Sequence, residues 1–388
     1  MRLCVASHKE CWQAADGRWM SSGGFPRQME GLASIFESMT LVVVAGHPRV
    51  GGSPLPAGSS VIALRSPSGA DARRKMSIAA HLGYYLGALR AAFRSADAVH
   101  VPLPGDISLL GLLTALGMGK PLLARYGGSW AGDDETTLMN RVTRACVRRF
   151  AGGRNVMLVT GEGVAPPAPG VSWIFSTALT VAELAAIRPA THAELHDPPR
   201  LVYAGRLSPE KGVAVLLEAL ALLRREALAP MPVLQLCGDG PERGTLERLA
   251  ATLGVADLAT FAGQLDRGAL GAALLSADLC VQPSRTEGFS KAWLDAMAHG
   301  LPVVASDVGA ARAVVGADGE RGWVTAAGDA PALARRLREV LTSATIDWRA
   351  LRARCRAHVE GRTLEAWAGE IEMRCTAAWG RPTRGATA

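Results

Sequence analysis

Short apolar segments with strand character alternate with longer segments of helical periodicity along most of the chain. An apolar run of a few residues suits a strand that is buried on both faces, and apolar residues three or four apart suit a helix covering it. The alternation therefore predicts an α/β fold with helices packed on parallel sheets. The predicted strands are residues 3–7, 41–45, 61–64, 98–102, 121–125, 156–160, 201–204, 233–237, 277–281 and 303–305, and residues 261–265 are predicted to form a short strand and turn.

A chain of 388 residues is longer than one hydrophobic core usually serves, so we expect two domains. Two proline-bearing stretches, 165–170 and 188–199, lie between the two sets of strands. We place the domain boundary near residue 190. The predicted parts are an N-terminal domain over 1–190, a C-terminal domain over 191–360, and a terminal segment over 361–388 whose last residues, 381–388, form a disordered tail.

The stretch 282–309 is the most informative part of the sequence for function. Glu287 lies in a loop between a predicted strand and a predicted helix, directly before Gly288, Phe289 and Ser290. The backbone N–H groups of these three residues would be free at the helix start and would attract an anion. A carboxylate beside an anion is costly unless it bonds something else. We therefore expect Glu287 to hold sugar hydroxyls or to stabilise a developing positive charge.

Asp295 follows Glu287 eight positions later, about two helical turns along the chain. This spacing predicts that the two acids share one face of the helix. Two acids on one face suit a nucleotide sugar, because one can contact the sugar and the other can bond the ribose hydroxyls.

Arg206 and Lys211 flank the turn that follows the predicted strand 201–204 and its Gly205. Two cations five positions apart can straddle a diphosphate, since Arg offers a fork of donors and Lys a point charge. The alternative interpretation is a pair of solvated loop charges. A second turn, Gly238-Asp-Gly-Pro241, lets a ligand approach the backbone but is also a common turn between a strand and a helix.

These segments and Phe261-Ala-Gly-Gln-Leu265 resemble, in the same order, the motifs of retaining glycosyltransferases of the GT-B fold, family 4, also called glycosyl transferases group 1. The family pattern is Glu, seven residues, Glu, and here Asp295 stands in the second position. The resemblance covers roughly residues 200–330. It implies two Rossmann-like parallel-sheet domains facing across a cleft, with the acceptor on the N-terminal and the donor on the C-terminal domain. It also implies that the helix predicted over 362–379 crosses back to the first domain.

The resemblance implies roles for the residues that match the motifs. Glu287 would meet the transferred sugar, and Arg206 and Lys211 would stabilise the departing diphosphate. Asp295 would bond the ribose, while Gln264 and Leu265 would line the base pocket without identifying the base. The implied donor-binding residues are Gly205, Gly238, Gln264, Leu265, Gly288, Phe289, Ser290 and Asp295.

The first half of the chain offers fewer candidates. Gly23 and Gly24 match the glycine loop that, in the family, reaches toward the donor phosphate and the acceptor. The loop 126–130 contains no histidine, so the histidine that the family often has there is not predicted. Asp106 is the alternative: it could orient the acceptor hydroxyl, or it could only cap a helix. His100 lies within a strand and is predicted to be a core residue.

The net charge of +7 comes entirely from the first half: residues 1–190 contain 19 Lys and Arg against 12 Asp and Glu, and the rest contains 23 of each. A basic acceptor domain suggests an anionic acceptor or an anionic membrane face. Candidate surfaces are Arg73-Arg74-Lys75, before a helix over 76–93, and the arginines between 141 and 149. The alternative is an ordinary solvated helix face. Nucleic-acid binding is not expected, because interleaved aromatics and a known binding module are lacking.

The seven cysteines are scattered and form no Cys-x-x-Cys pair, so neither a disulfide framework nor a zinc site is expected. We expect no metal or other cofactor, because Arg206 and Lys211 supply the charge; Asp133-Asp134 suits a helix start better than a metal. No membrane-spanning run and no signal peptide are recognised. We expect a cytoplasmic protein, at the inner face of the cell membrane if it is membrane-associated.

The leading hypothesis is a metal-independent retaining glycosyltransferase. It would move a hexose-type sugar from a nucleoside diphosphate sugar to a glycan or lipid-linked acceptor, in polysaccharide or glycoconjugate biosynthesis. One alternative is a non-catalytic subunit that binds a nucleotide sugar. Another is a nucleotide-sugar epimerase of the same fold, which would need further acid-base residues.

Overall fold

The two predicted sets of strands form two sheets, which lie in two separate units of the chain. The computed structural model describes residues 1–49, 52–69, 71–131, 137–380 and 383. Unit 1 consists of Met1–Ala178 and Leu364–Ala388, and unit 2 of Leu179–Thr363. The expected acid pair Asp133-Asp134 lies outside the described residues, as does the expected tail over 381–388 apart from Thr383.

The sheet of unit 1 is built around parallel strands in the order β5, β3, β1, β6, β7, β8, β9. Its short strand β2 pairs antiparallel with β1, and β4 pairs with β2. The sequence did not predict these two strands, because they have only three and two residues. The strands of unit 1 are β1 (Arg2–Gln13), β2 (Trp19–Ser21), β3 (Ser38–Ala45), β4 (Ser53–Pro54), β5 (Ser60–Leu64), β6 (Ala98–Leu103), β7 (Leu122–Tyr126), β8 (Asn155–Thr160) and β9 (Val171–Ile174).

Helices cover both faces of this sheet. The first helices are α1 (Phe25–Ile35), α2 (Asp71–Ala80), α3 (Leu82–Arg94), α4 (Asp106–Gly117) and α5 (Leu138–Arg149). One apolar core lies between the sheet and α3, α4 and α5, and a second lies between the sheet and α1. The single helix predicted over 76–93 is wrong, because the chain breaks at His81 between α2 and α3.

The sheet of unit 2 is entirely parallel, in the order β12, β11, β10, β13, β14, β15. Its strands are β10 (Arg200–Ala204), β11 (Val233–Cys237), β12 (Ala259–Gly263), β13 (Leu279–Gln282), β14 (Val303–Ser306) and β15 (Gly322–Thr325). Its helices are α6 (Val181–Ala186), α7 (Val213–Arg225), α8 (Arg243–Thr252), α9 (Arg267–Leu275), α10 (Lys291–Ala298), α11 (Ala311–Val315), α12 (Ala330–Leu341) and α13 (Trp348–Val359), with a short 3-10 turn at Pro209–Lys211. The order of the strands reverses between β10 and β13, which is where ligands bind in open parallel sheets.

Unit 2 begins twelve residues before the predicted boundary near residue 190. The reason is local: Thr180 and Glu183 cap α6 reciprocally, and Glu183 also pairs with Arg267 of α9 in unit 2. Arg356 of α13 donates to the carbonyl of Leu184, which ties α6 to unit 2 a second time.

The final helix, α14 (Leu364–Trp379), belongs to unit 1. Trp367, Ile371 and Cys375 of this helix are buried in the core beside α1. A side chain at Gly31 of α1 would come within 3.2 Å of Leu364, so the glycine allows α1 and α14 to pack closely. No helix in the described part of the chain has the length and apolar composition needed to cross a membrane.

Candidate functional site

The loops after β10 and β13 bring Lys211 and Glu287 into contact. Lys211 Nζ pairs with Glu287 Oε2, although the two residues are 76 positions apart. Their side chains are 24% and 14% exposed, so the pair is partly shielded from water. The sequence predicted both residues as functional but not that they pair. The ion pair lies where the strand order of unit 2 reverses.

Three glycines let the backbones of these loops pack closely. A Cβ at Gly212 would lie 2.1 Å from the carbonyl oxygen of Pro283, and one at Gly238 would lie 1.7 Å from that of Gly205. A Cβ at Gly309, after β14, would lie 2.3 Å from the carbonyl oxygen of Glu287. Contacts this short exclude any side chain at these positions. The glycines therefore fix the positions of the backbone around Glu287 and Lys211.

Arg206 lies in the turn after β10, at the surface of unit 2. Its side chain is exposed and forms no ion pair with any residue that the structure describes. Its carbonyl oxygen accepts a hydrogen bond from the Tyr203 hydroxyl at 2.8 Å, which holds the turn. Burial, and after it the charge of Glu287, raise the pKa of Tyr203, so this hydroxyl stays protonated and keeps donating. Arg206 is thus free to bind an anion.

The start of α10 has the features of an anion site. Ser290 is the N-cap residue, but its side chain forms no capping hydrogen bond to the first turn. The Phe289 ring is buried with its centroid 5.9 Å from that of Trp293, and the Gly288 carbonyl accepts from Ala310 N at 3.0 Å. The loop before α10 is therefore held by the packing of Phe289 and by a backbone hydrogen bond, and the Ser290 side chain does not cap the helix. A helix start of this kind attracts an anion.

Asp295 lies on α10, but the predicted helical face shared with Glu287 is wrong. The helix begins at Lys291, so Glu287 lies in the preceding loop and helical spacing does not relate the two acids. Asp295 is 18% exposed, and its Oδ1 lies 3.8 Å from Arg267 Nη2. Burial raises the pKa of Asp295, and the nearby charge of Arg267 opposes this effect. A partly buried carboxylate of this kind suits hydrogen bonds from hydroxyl groups.

The other predicted donor residues lie at the carboxyl ends of neighbouring strands. Gln264 is exposed and Leu265 half-buried in the loop after β12, so the strand and turn predicted over 261–265 are the end of β12 and this loop. Gly238 N donates to the Gly263 carbonyl at 2.8 Å and so joins the ends of β11 and β12. Gly205 N donates to the Cys237 carbonyl at 3.0 Å, which joins β10 to β11. The predicted donor residues thus lie along one edge of the sheet of unit 2.

In unit 1, Asp106 is not the helix cap that the sequence allowed. Gly105 occupies the cap position of α4, and Asp106 is the first helical residue, with its Oδ2 accepting from Arg74 Nε at 2.6 Å. Asp106 and Ser22, the neighbour of Gly23, line the same pocket. Gly24 is the cap of α1, and Gly23 has a left-handed backbone (φ +71°) that favours glycine. His8 also lines this pocket and was missed by the sequence analysis.

His100 is fully buried, as predicted. Its Nδ1 lies 2.9 Å from the Leu123 carbonyl oxygen, and burial lowers the pKa of His100 to about 3. The residue is therefore a neutral part of the core.

Among the described residues, His192, His196 and Asp278 could hold a metal ion, since their ligand atoms lie within 4.8 Å of one another. However, Arg352 Nη2 lies 2.5 Å from His192 Nε2 and 3.5 Å from Asp278 Oδ1. Burial, and then the charge of Arg352, lower the pKa of His192, so its neutral ring accepts this hydrogen bond. The Arg352 guanidinium therefore already provides the positive charge that a metal ion would bring to Asp278. We interpret the cluster as a structural link between α13 and the segment before β10.

Comparison with known proteins gives a family match that lies within unit 2. Residues 187–360 match the family described as "Glycosyl transferases group 1". A D-inositol 3-phosphate glycosyltransferase of Jonesia denitrificans is 40% identical over 114 residues, 28% of this chain and 27% of that protein. A GDP-mannose-dependent alpha-(1-6)-phosphatidylinositol monomannoside mannosyltransferase of Mycolicibacterium smegmatis is 36% identical over 154 residues, 38% of this chain and 40% of that protein. The matches thus span well under half of each relative.

One solved structure extends the likeness to both units. The crystal structure of Anabaena Alr3699/HepE in complex with UDP matches with a TM-score of 0.69 at 18% sequence identity. The match covers 97% of this chain and all of that one. At this identity the likeness concerns the fold.

Proposed function

We propose that the chain transfers a hexose-type sugar from a nucleoside diphosphate sugar to a glycan or lipid-linked acceptor. Residues 187–360 match the family of glycosyl transferases group 1, and the chain has the GT-B fold. The observation that carries the proposal is the Lys211–Glu287 pair at the strand reversal of unit 2. It joins a cation suited to phosphate and an acid suited to a sugar in one place.

In this proposal, the diphosphate of the donor is bound by Arg206, Lys211 and the backbone amides of residues 288–290, which directly precede α10. These groups stabilise the negative charge that develops as the diphosphate departs, which is electrostatic catalysis. Glu287 holds the transferred sugar and Asp295 the ribose. Gln264 and Leu265 border the base.

We propose that the reaction retains the configuration of the donor sugar. The bond from the anomeric carbon to the phosphate oxygen breaks, and the bond to the acceptor oxygen forms on the same face of the ring. The departing phosphate takes the proton of the acceptor hydroxyl, so this step requires no histidine from the loop 126–130. No metal is required, because Arg206 and Lys211 supply the positive charge that a metal would otherwise provide.

The acceptor side of the proposal rests on unit 1. All of the excess positive charge belongs to this unit, which contains 21 Lys and Arg against 14 Asp and Glu, whereas unit 2 contains 21 of each. A basic acceptor unit suits an acceptor presented on an anionic membrane. We place the activity in the cytoplasm, at the inner face of the membrane, since all seven cysteines are unpaired as expected in a reducing compartment.

The proposed membrane contact lies where α2 meets α3. Met76, Leu82 and Tyr84 are large apolar side chains exposed to solvent, and Arg73 and Lys75 are exposed beside them. Apolar side chains flanked by cations suit the headgroup region of an anionic bilayer.

The second basic surface predicted from the sequence, on α5, is partly wrong. Arg144 is buried and donates to the Trp130 carbonyl at 3.1 Å. Arg148 lies over the Trp130 ring, with its guanidinium carbon 4.8 Å from the ring centre. Both arginines hold the loop before α5, so we leave α5 out of the proposed membrane contact.

Replacing Arg73 and Lys75 by Ala is expected to weaken binding to phosphatidylserine vesicles. Each basic residue near an anionic surface contributes about 1 kcal/mol, so we expect a loss of roughly fivefold per residue. Co-sedimentation of each protein with the vesicles measures this loss of binding. The matched control is the Arg225→Ala/Arg248→Ala variant, which removes two exposed charges from unit 2. Equal binding by all three proteins would contradict the proposed surface.

The donor half of the proposal is tested by thermal unfolding of the purified chain with UDP, GDP, ADP and their sugar conjugates. A ligand at a hundredfold excess over its Kd adds about 2.7 kcal/mol to the free energy of unfolding. We expect one nucleotide to raise Tm selectively, and the Arg206→Ala/Lys211→Ala variant to lose this shift. The Arg225→Ala/Arg248→Ala variant is the control and should keep it. If no nucleotide raises Tm, the proposal fails.

Two other functions give different results in the same samples. A non-catalytic binding subunit would show the rise in Tm with a nucleotide but no sugar transfer to any acceptor. An epimerase would change the sugar of the donor without an acceptor.

A further inference from the structure

Strand β7 carries a charged residue inside a core of unit 1. All five residues of this strand are buried, and the fourth is Arg125, which is only 8% exposed. Leu123, two positions earlier and on the same face of the strand, belongs to the core beside α1. The Arg125 side chain therefore lies in this core, where an ionised group is costly unless it is well bonded.

The guanidinium of Arg125 bonds neutral side chains. Its Nη2 donates to Gln28 Oε1 of α1 at 2.7 Å, and its Nη1 donates to Thr160 Oγ1 at the end of β8 at 3.1 Å. The guanidinium carbon lies 5.8 Å from the centre of the Trp367 ring of α14. Among the residues that the structure describes, Nε has no hydrogen-bond partner and no carboxylate pairs with Arg125. The buried charge is therefore balanced by neutral groups alone.

Arg125 remains charged at neutral pH. Burial lowers its pKa to about 10, which leaves the guanidinium protonated near pH 7. Apolar side chains could join β7 to α1 without taking a charge out of water. The charge adds strength to the contact with Gln28, because a hydrogen bond from an ionised donor is about twice as strong as a neutral one.

Gln28 connects Arg125 to the glycine loop before α1. The backbone N–H of Gln28 donates to the Gly24 carbonyl at 3.2 Å, in the first turn of the helix. Its side-chain Nε2 donates to the Ser176 hydroxyl at 3.2 Å. Gly24 is the N-cap residue of α1 and provides no side-chain cap. The contacts of Gln28 therefore hold the first turn of α1 and the loop that leads into it.

The held loop lies beside a ligand-sized opening in unit 1. Ser22, the residue before Gly23, lines the pocket that also contains Asp106. This pocket lies where the order of the parallel strands reverses between β1 and β6, at the sheet edge where ligands bind in such folds. A shift of the first turn of α1 would therefore move groups at this edge.

We infer that Arg125 is a positioning residue for the proposed sugar transfer. It holds the first turn of α1 through Gln28 and so fixes the Gly23-Gly24 loop at the edge of the sheet. Arg125 touches no substrate itself, because it lies inside the core. The inference rests on the proposed function and adds to it a buried residue that acts through α1.

The first test is amide hydrogen exchange of the whole chain without ligand, followed by mass spectrometry. Arg125→Met removes the charge and both donors but keeps a long unbranched side chain. We expect exchange of the segment 24–32 to become about tenfold faster, the size of one hydrogen bond to a charged group. Helix α4 of the same unit is the control segment and should exchange as in the wild type. Unchanged exchange of 24–32 would overturn the inference.

The second test separates positioning from a contribution to stability alone. Gln28→Met removes the bond to α1, whereas Thr160→Val removes the other bond of Arg125 and leaves α1 held. We expect kcat of sugar transfer to fall about tenfold or more in Arg125→Met and Gln28→Met, because displaced positioning groups are costly. Thr160→Val should lower Tm but leave kcat unchanged. Gln28→Glu, whose carboxylate accepts the same bond, should recover transfer relative to Gln28→Met.

Two results with active wild-type protein would overturn the inference. An equal loss of kcat in Thr160→Val would show that Arg125 acts only through the stability of the core. Faster exchange of 24–32 with an unchanged kcat would show that the held loop does not affect the reaction. The Kd of the nucleotide should be the same in all variants, since unit 2 binds it in the proposal. If the wild type itself transfers no sugar, the proposed function fails and the inference falls with it, whereas a loss confined to the variants concerns Arg125.

Discussion

A Glu287→Gln variant is expected to bind a nucleoside diphosphate more tightly and yet to transfer sugar far more slowly. In the donor-free protein, Glu287 neutralises Lys211. Without the carboxylate, Lys211 offers its full charge to the diphosphate. A partly exposed ion pair is worth about 1 kcal/mol, so we expect an affinity gain of roughly fivefold. We expect transfer to fall about 10²- to 10³-fold, the usual loss when one electrostatic group of an active site is removed.

Two measurements check this prediction: the Kd of the nucleotide by calorimetry, and the transfer rate with excess donor. The matched control is Glu218→Gln, the same change at an exposed position of α7. It should alter neither quantity. If Glu287→Gln weakens nucleotide binding, the carboxylate assists binding rather than competing for Lys211. An unchanged transfer rate would remove Glu287 from the chemistry.

An Asp278→Asn variant is expected to lose about 3–5 kcal/mol of folding free energy, because it leaves a buried charge without its partner. Asp278 is fully buried and Arg352 is 1% exposed. The carboxylate also accepts from the Arg200 amide at 2.8 Å and from the His196 amide at 3.2 Å. Asn keeps the shape and part of this hydrogen bonding but removes the charge that Arg352 faces.

Urea unfolding of the single variants and of Asp278→Asn/Arg352→Met measures this effect. The double variant should cost less than the sum of the two single changes, because it removes both charges. Asp257→Asn, which breaks a surface pair with Arg224, is the control and should not measurably change the midpoint. A loss for Asp278→Asn as small as that of the control would show that the buried cluster does not stabilise unit 2.

Much of the fold could be predicted because α/β periodicity is local. The predicted strand 233–237 agrees with β11 at both ends, and the predicted strand 201–204 differs from β10 by one residue at its start. The break at His81 was missed because apolar residues continue at helical spacing across it. The early start of unit 2 was missed because it depends on contacts of α6 with α9 and α13.

For the candidate site of unit 2, the sequence could indicate which residues take part in binding or catalysis, but not which of them are in contact. Arg206, Lys211 and Glu287 were found because each follows a predicted strand in a recognisable motif. The Lys211–Glu287 contact depends on the neighbouring placement of β10 and β13, which periodicity does not reveal. His8 left no local signal, since the residues that hold it, Gly105 and Ser108, lie about a hundred positions away.

Unit 1 combines residues 1–178 with a segment that begins at Leu364, and unit 2 lies between them in the sequence. This arrangement determines the order in which the two units can fold during synthesis. Unit 2 is continuous, so all of its strands have been synthesised when the growing chain reaches Thr363. The core beside α1 needs Trp367, Ile371 and Cys375, which are made after all of unit 2. A growing chain of this length therefore carries a first unit whose core beside α1 is incomplete, while every strand of unit 2 has already been made. Chains that stop before α14 would expose the apolar side chains beside α1 that this helix otherwise covers, which is a recognised risk for aggregation.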